Sequence, residues 1–454
     1  MPVNPADSPI FGALYGSDAM RAVFDDMAFC QRMLDVEAAL ARVQARLGII
    51  PAEAAAAITE AARVENLDVA AMRASVANVG YPVVGLVAGL SAAVDSLGTP
   101  HGGWTHWGAT TQDIMDSATS LQVRDGLALL RADLLAVVRA LATQAAAHRT
   151  TLMAGRTHLQ HALPVTFGLK LATWLAPLAA HVERLDQLAA RACAVQFGGA
   201  AGTLASLGEH GLAVMEGLGA ELDLTVPDAP WHVGRDGLAE AVGFLGLLCG
   251  SLSKIATDVI LLAQNEVAEL TEPYVHGRGQ SSTMPQKRNP IASEYILAST
   301  RAVQALVPLM QGAMAGDHER ATGPWQAEPL AIGQAFVLAH GALLHARAIA
   351  EGMVVDAAKM RANLDLTGGL IVAEAVMMGL APLLGREAAH HVVKHACDRA
   401  LADGITLAAA LGHEPAVTAR LDAAAIAALV APGAYLGSTD RFIERVLDRA
   451  RGIT

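Results

Sequence analysis

The sequence predicts an all-α protein built around a bundle of unusually long helices. Three observations carry that expectation. Aromatic residues make up only 4% of the chain while alanine is abundant, a balance that suits closely packed helices better than sheets. Ala/Leu-rich stretches near 111–148, 162–194 and 236–271, followed by others near 289–314 and 326–352, outrun the roughly 8–20 residues of an ordinary globular helix. Strand signals are weak throughout.

Residues 17–47 carry helical periodicity in Met20, Val23, Phe24 and Met27, then Met33, Leu34, Val36 and Leu40, and Gly48 and Pro51 close the segment. Shorter helices follow to about residue 95, and Gly98, Pro100, Gly102, Gly103 and Gly108 mark a loop. A Gly-rich break at Gly198-Gly199-Ala200-Ala201-Gly202 and a Pro-containing loop at 227–230 separate the middle helices. Near residue 364 the character changes, with Gly368 and Gly369 and shorter helices beyond. These shifts predict an N-terminal helical domain over 1–110, a central long-helix domain over 111–363 and a C-terminal helical domain over 364–454.

Composition narrows the function. With 53% apolar and 17% charged residues a large core is easily built. A net charge of −12 without Lys/Arg clusters argues against a nucleic-acid partner, and an anionic substrate would need locally placed cations. Cys30, Cys193, Cys249 and Cys397 are widely spaced, with no CxxC, and read as buried thiols in a reducing cytoplasm. The start, MPVNPADSPIFG, lacks the layout of a signal peptide. The apolar run Val242–Leu252, cut off by Lys254 and Asp258, reads as a core helix, so no membrane partner is expected.

Three polar, Gly-bearing interruptions stand out between the helices. Thr105-His106-Trp107-Gly108-Ala109-Thr110-Thr111-Gln112-Asp113 sets an imidazole and two hydroxyls on a loop entering a long helix. Free N–H groups there suit a carboxylate, although alone the segment also reads as a capping loop with a structural histidine. Gly155-Arg156-Thr157-His158-Leu159-Gln160-His161 offers two histidines three apart beside an arginine. These suit acid/base work or a solvated turn; no neighbouring Cys or carboxylate completes a metal-ligand spacing, so no metal is expected. Gly279-Gln280-Ser281-Ser282-Thr283-Met284-Pro285-Gln286-Lys287-Arg288-Asn289-Pro290 is a polar, Gly-flanked loop able to close over a substrate and activate a serine.

The string SSTMPQKRNP resembles the signature loop of the fumarase/aspartase superfamily, and the other two segments fall where that superfamily has its other common regions. The likeness is strongest to the bacterial 3-carboxy-cis,cis-muconate cycloisomerases. It is carried by MLDVEAALARVQARLGIIPAEA, HWGATTQDIMD, QFGGAAGTLASLG, PWHVGRD, MRANLDLTGGLIVAEAV and a late AYLG. The resemblance implies a fumarase/aspartase-like fold, a homotetramer with 20 bundle helices, and active sites shared between subunits. It implies no cofactor and a small di- or tricarboxylate substrate. Ser281 would be the base that takes a proton next to a carboxylate, and Lys287 and Asn289 would stabilise the resulting dianion. His106, Thr110, Thr111, Gln160, Ser282 and Met284 would bind substrate, with Arg320 as a second carboxylate anchor.

Departures from the pattern bear on the reaction. In the cycloisomerase group the positions of His158 and Glu294 are commonly Trp and a small residue; in adenylosuccinate lyase and its relatives they are a cooperating His and Glu, as here. Gln280 replaces a usual Gly, Gln286 a usual His, and Gln326-Ala327-Glu328-Pro329 loses the expected aromatic and acidic pattern. Leu14-Tyr15 and Tyr81-Pro82-Val83-Val84 lack the residues adenylosuccinate lyase uses for a nucleotide. The resemblance therefore implies lactonisation of a muconate tricarboxylate. The alternative is a C–N lyase or epimerase acting on an N-substituted aspartate such as iminodisuccinate, with His158–Glu294 as partner acid. A non-catalytic structural protein of the same fold is disfavoured by the intact Ser281, Lys287 and His158.

Overall fold

The computed structural model describes residues 3–98, 100–273, 279, 283, 284 and 286–453. The described chain is predominantly helical, and the long stretches read from the sequence hold α-helices with tighter bounds: α2 (Thr111–Ala147), α3 (Phe167–Ala192), α4 (Asp236–Leu262), α5 (Ile291–Ala313) and α6 (Ile332–Gly352); residues 162–166 are strand, 263–271 lie beyond α4, and a short helix and a 3-10 turn occupy 324–330. The helix expected over 17–47 is broken. A short helix, Asp18–Val23, ends at Phe24, and α1 (Asp26–Arg46) restarts behind Asp25, whose carboxylate accepts a hydrogen bond from the Met27 N–H at 2.8 Å.

The chain divides into two compact units interleaved along the sequence. One comprises Met1–Leu134, His181–Ser253 and Tyr295–Leu344; the other comprises Leu135–Ala180, Lys254–Glu294 and His345–Thr454. In the first, the apolar stripe of α1 (Met33, Leu34, Val36, Leu40) is buried, and α1 packs on helices Ala52–Ala61 and Gly211–Leu222. Gly126 on α2 lies so close to Phe336 that a Cβ would meet the ring at 2.7 Å, so only glycine permits that approach. The start of α4 is tied to α2 by a buried ion triad. Arg235 reaches Asp116 at 2.6 and 2.9 Å and Glu328 at 2.5 and 2.7 Å. Such a group is costly to bury unless every partner is present.

In the second unit, Ile371, Val376, Leu380, Val393, Leu407 and Leu411 form the centre of a buried cluster contributed largely by α7 (Ala373–Leu384), α8 (Arg386–Asp403) and the short helix after them. The weak strand signal is misleading here. Residues 152–166 form an antiparallel hairpin of β1 (Leu152–Thr157) and β2 (Gln160–Thr166). The turn is His158-Leu159, with φ of 50° and 63°. Both residues are left-handed, the geometry of a tight primed turn normally given to Asn-Gly. Neither residue announces such a turn, and Pro164 further disguises the second strand.

The apolar run Val242–Leu252 lies within α4, which is long and apolar enough to cross a bilayer, although half of its most apolar window is buried inside the chain. Among the cysteines, Cys30, Cys193 and Cys249 are buried as expected, whereas Cys397 is half-buried; all four are free thiols.

Candidate functional site

In the first unit the loop before α2 is held by two buried carboxylates. Glu37 sits on the apolar stripe of α1, 1% exposed, and accepts from both the His106 backbone N–H (3.1 Å) and its Nδ1 (2.6 Å). His106 has a φ of 59°, a left-handed backbone that this double grip stabilises. Burial opposes charging of the ring, but the hydrogen bond and charge of Glu37 outweigh it, so the His106 pKa is raised above the ordinary imidazole value. The shift favours the charged form of the ring, which suits a carboxylate partner.

Asp113, fully buried in the first turn of α2, gathers five donors. Oδ1 accepts from His232 Nε2 (2.8 Å), Gly198 N (2.9 Å) and Gln196 Nε2 (3.2 Å), and Oδ2 from Gly199 N (2.9 Å) and Thr110 N (3.0 Å). One carboxylate thus fixes the Gly-rich break against the start of α2. Arg320 closes this arrangement: Nη2 donates to Thr110 Oγ1 (2.9 Å), Gly199 O (3.2 Å) and Ala200 O (3.1 Å). Its Nε is buried without a partner among the described residues. The guanidinium is thus held by one nitrogen, with the donor capacity of its buried Nε unused. Thr110 and Arg320 are therefore brought together, Thr111 opens α2 beside them, and His106 lies on the same loop.

In the second unit His158 occupies the exposed hairpin tip, with exposed Gln160 opening β2. The hairpin is locked just below its tip. Arg156 donates to Glu269 at 2.6 and 2.9 Å, and Asn363 donates to the same carboxylate at 2.8 Å and to Val267 O at 2.7 Å. The strands slip register between Ala154 and Arg156, at Gly155, where a Cβ would lie 2.8 Å from the Leu163 carbonyl oxygen. His161 pairs across the ladder with Arg156. Burial, aided by the Arg156 charge, lowers its pKa, and its Nδ1 has no partner among the described residues.

Ser281 and Ser282 lie outside the described residues. Met284, Lys287 and Glu294 are exposed and Asn289 half-buried. The Lys287 N–H donates to Met284 O (3.0 Å) and the Asn289 N–H to Gly279 O (3.1 Å). Glu294 stands in the first turn of α5, whose opening N–H groups, those of Ala292 and Ser293, are capped by Glu272 at 3.0 and 2.8 Å. Among the described residues no hydrogen bond joins His158 to Glu294 within the chain.

Sequence reasoning missed Glu37, Asp113, His232 and Glu269 as parts of the site's frame. The available signal was a carboxylate on an otherwise apolar helical stripe: Glu37 lies one turn from Met33 and Leu34 and must be paired to be buried.

Comparison with known proteins gives a consistent picture. A family model described as "Lyase" matches residues 15–305, and one described as "Adenylosuccinate lyase C-terminus" matches residues 369–446. A 3-carboxy-cis,cis-muconate cycloisomerase of Bradyrhizobium diazoefficiens is 46% identical, covering 98% of this chain and 99% of its own length. A cycloisomerase of the same name from Pseudomonas aeruginosa is also 46% identical, over 96% of this chain and 95% of its own. The crystal structure of the 3-carboxy-cis,cis-muconate lactonizing enzyme from Pseudomonas putida superimposes with a TM-score of 0.93 at 42% identity, covering 98% of this chain and 100% of that one.

Proposed function

We propose, from the premise that this chain belongs to the fumarase/aspartase superfamily and is an enzyme of the cycloisomerase or lyase type, that it lactonises 3-carboxy-cis,cis-muconate or a close tricarboxylate. The observation that carries the reading is the full-length likeness to cycloisomerases at 46% identity. The Thr110–Arg320 arrangement adds a cationic seat of the kind such an anion requires.

In this reading a substrate carboxylate oxygen forms a new C–O bond to one carbon of a double bond. The π electrons move to the neighbouring carbon and into its carboxylate, and that carbon takes a proton. Ser281 is the group that moves this proton, removing it in the reverse direction. Lys287 and Asn289 stabilise the dianionic carboxylate, Arg320 with Thr110 and Thr111 holds another carboxylate, and His106, whose pKa Glu37 raises, assists it. Gln160, Ser282 and Met284 complete the binding surface. No step calls for a cofactor. The enzyme works in the cytoplasm as a homotetramer whose active sites combine segments from different subunits, which brings His158 of one copy to Glu294 of another.

A second reading, C–N lysis or epimerisation of an N-substituted aspartate, is favoured by one observation: the chain carries both His158 and Glu294, and the His158 side chain stands exposed at the hairpin tip, open to a partner. Incubating purified protein with 3-carboxymuconate and with iminodisuccinate decides between them. Lactone formation that persists in His158→Trp supports the first; activity on the amine alone, abolished by Glu294→Gln, replaces it with the second.

A further inference from the structure

Beneath the hairpin tip lies a cavity of about 420 Å³ lined by Arg156, His158, Lys170, Lys254 and Asp258 among others. Its charges do not balance. Three cations face one lining carboxylate, and even with Glu269 neutralising Arg156 from behind, one positive charge is left over, in a chain whose net charge is −12. Asp258 is already engaged: its Oδ2 accepts from Trp174 Nε1 at 2.8 Å and Lys254 Nζ at 2.6 Å. Lys170 Nζ forms only a long ion pair with that oxygen, at 3.6 Å, although its side chain is only 25% exposed. Burial lowers the Lys170 pKa, the charges of Lys254 and Arg156 push the same way, and Asp258 offsets only part. A mostly buried ammonium whose one carboxylate partner stands at 3.6 Å and is shared with Lys254 and Trp174 is an expensive feature unless an anion completes it.

We propose that this cavity is a carboxylate subsite with Lys170 as its anchoring cation, seating one end of a small polycarboxylate so that another part of the molecule lies at His158. The identity of the anion rests on the polycarboxylate chemistry proposed above; the existence of the subsite does not. Lys254, 61% exposed at its side chain, is the outer cation that draws the anion in. Arg156, pinned by Glu269, shapes the wall.

The test is calorimetric binding of propane-1,2,3-tricarboxylate, which cannot react, to the full chain. Lys170→Gln is expected to raise the Kd at least tenfold, and Lys170→Arg to recover most of the affinity. The KM for any substrate the wild type turns over rises by a similar factor. Should Lys170→Gln not fold, Lys254→Gln is expected to weaken binding severalfold while leaving the melting temperature unchanged. Wild-type protein that does not bind the tricarboxylate overturns the subsite, as do unchanged affinities in the folded variants. Lys170-dependent binding by a wild type that fails to lactonise carboxymuconate sustains the subsite and removes only the reaction assigned above.

Discussion

Replacing Asp113 by asparagine is the sharpest perturbation of the site's frame. The carboxylate is fully buried and receives five hydrogen bonds at 2.8–3.2 Å, three on one oxygen and two on the other. In the variant one oxygen becomes an NH2 group that cannot accept, so at least two buried donors are orphaned, most simply those of Gly199 and Thr110. At about 1–3 kcal/mol for each unsatisfied buried group, the loss is about 4 kcal/mol. For a chain of this length that corresponds to a fall in Tm of about 4 °C. The loss is also directional. Gly199 O and Ala200 O, which hold Arg320, sit on the loop that Asp113 pins, so substrate binding suffers along with stability. Differential scanning calorimetry gives the first quantity and steady-state kinetics the second, with an expected rise of at least tenfold in KM. An Asp113→Asn enzyme with wild-type Tm and KM refutes the argument that this carboxylate organises the anion seat.

Other consequences can be measured in parallel. His181 is buried against Ser251 and Arg184, and burial, then the Arg184 charge, draws its pKa from 6.5 down to about 4. The unfolded chain takes up a proton below about pH 6.5 that the folded chain refuses until about pH 4, so stability should fall by about 3 kcal/mol across that window as pH drops; His181→Asn should flatten the slope, and an unaltered slope contradicts the assignment. His106 has the opposite sign: its raised pKa contributes stability that is complete below the unfolded value and is lost as pH rises through the folded one, a loss that Glu37→Gln should abolish. Gly155→Ala forces a Cβ to 2.8 Å from the Leu163 carbonyl and should cost roughly 1–3 kcal/mol, and under the second reading it should also lower turnover through the displaced His158; a neutral substitution would show that the bulge does not position the tip. If His158→Ala is inactive, as the second reading requires, mixing it with inactive Ser281→Ala should restore partial activity on subunit exchange, since some sites then hold both intact residues; no recovery speaks against shared sites.

Much of this molecule is written in local sequence patterns. The stretch expected over 111–148 is a helix over Thr111–Ala147, because its apolar residues recur at helical spacing and no Gly or Pro pair interrupts them. Arg320 and Thr110 were identified separately from motif position, and the structure joins them at 2.9 Å. What stayed hidden depends on residues far apart in sequence or on unusual local chemistry. The His158-Leu159 turn uses left-handed residues with a Cβ, which no turn preference signals, so the hairpin reads as a loop. The pairings of Glu37 with His106 and of Asp113 with Gly198, Gly199 and His232 span 69 to 119 residues; a single sequence states that such carboxylates exist, not which donors fold onto them.

The central claim, proton movement beside a carboxylate coupled to ring closure, is tested most directly by running the reaction in D2O and following it by proton NMR. Incubation of 3-carboxy-cis,cis-muconate with the wild-type enzyme is expected to give a lactone carrying a single deuterium, on one face only, at the carbon next to a carboxylate. Ser281→Ala should give almost none. Failure of the wild type to form the lactone, or a lactone labelled equally on both faces at the rate of the Ser281→Ala protein, contradicts the account.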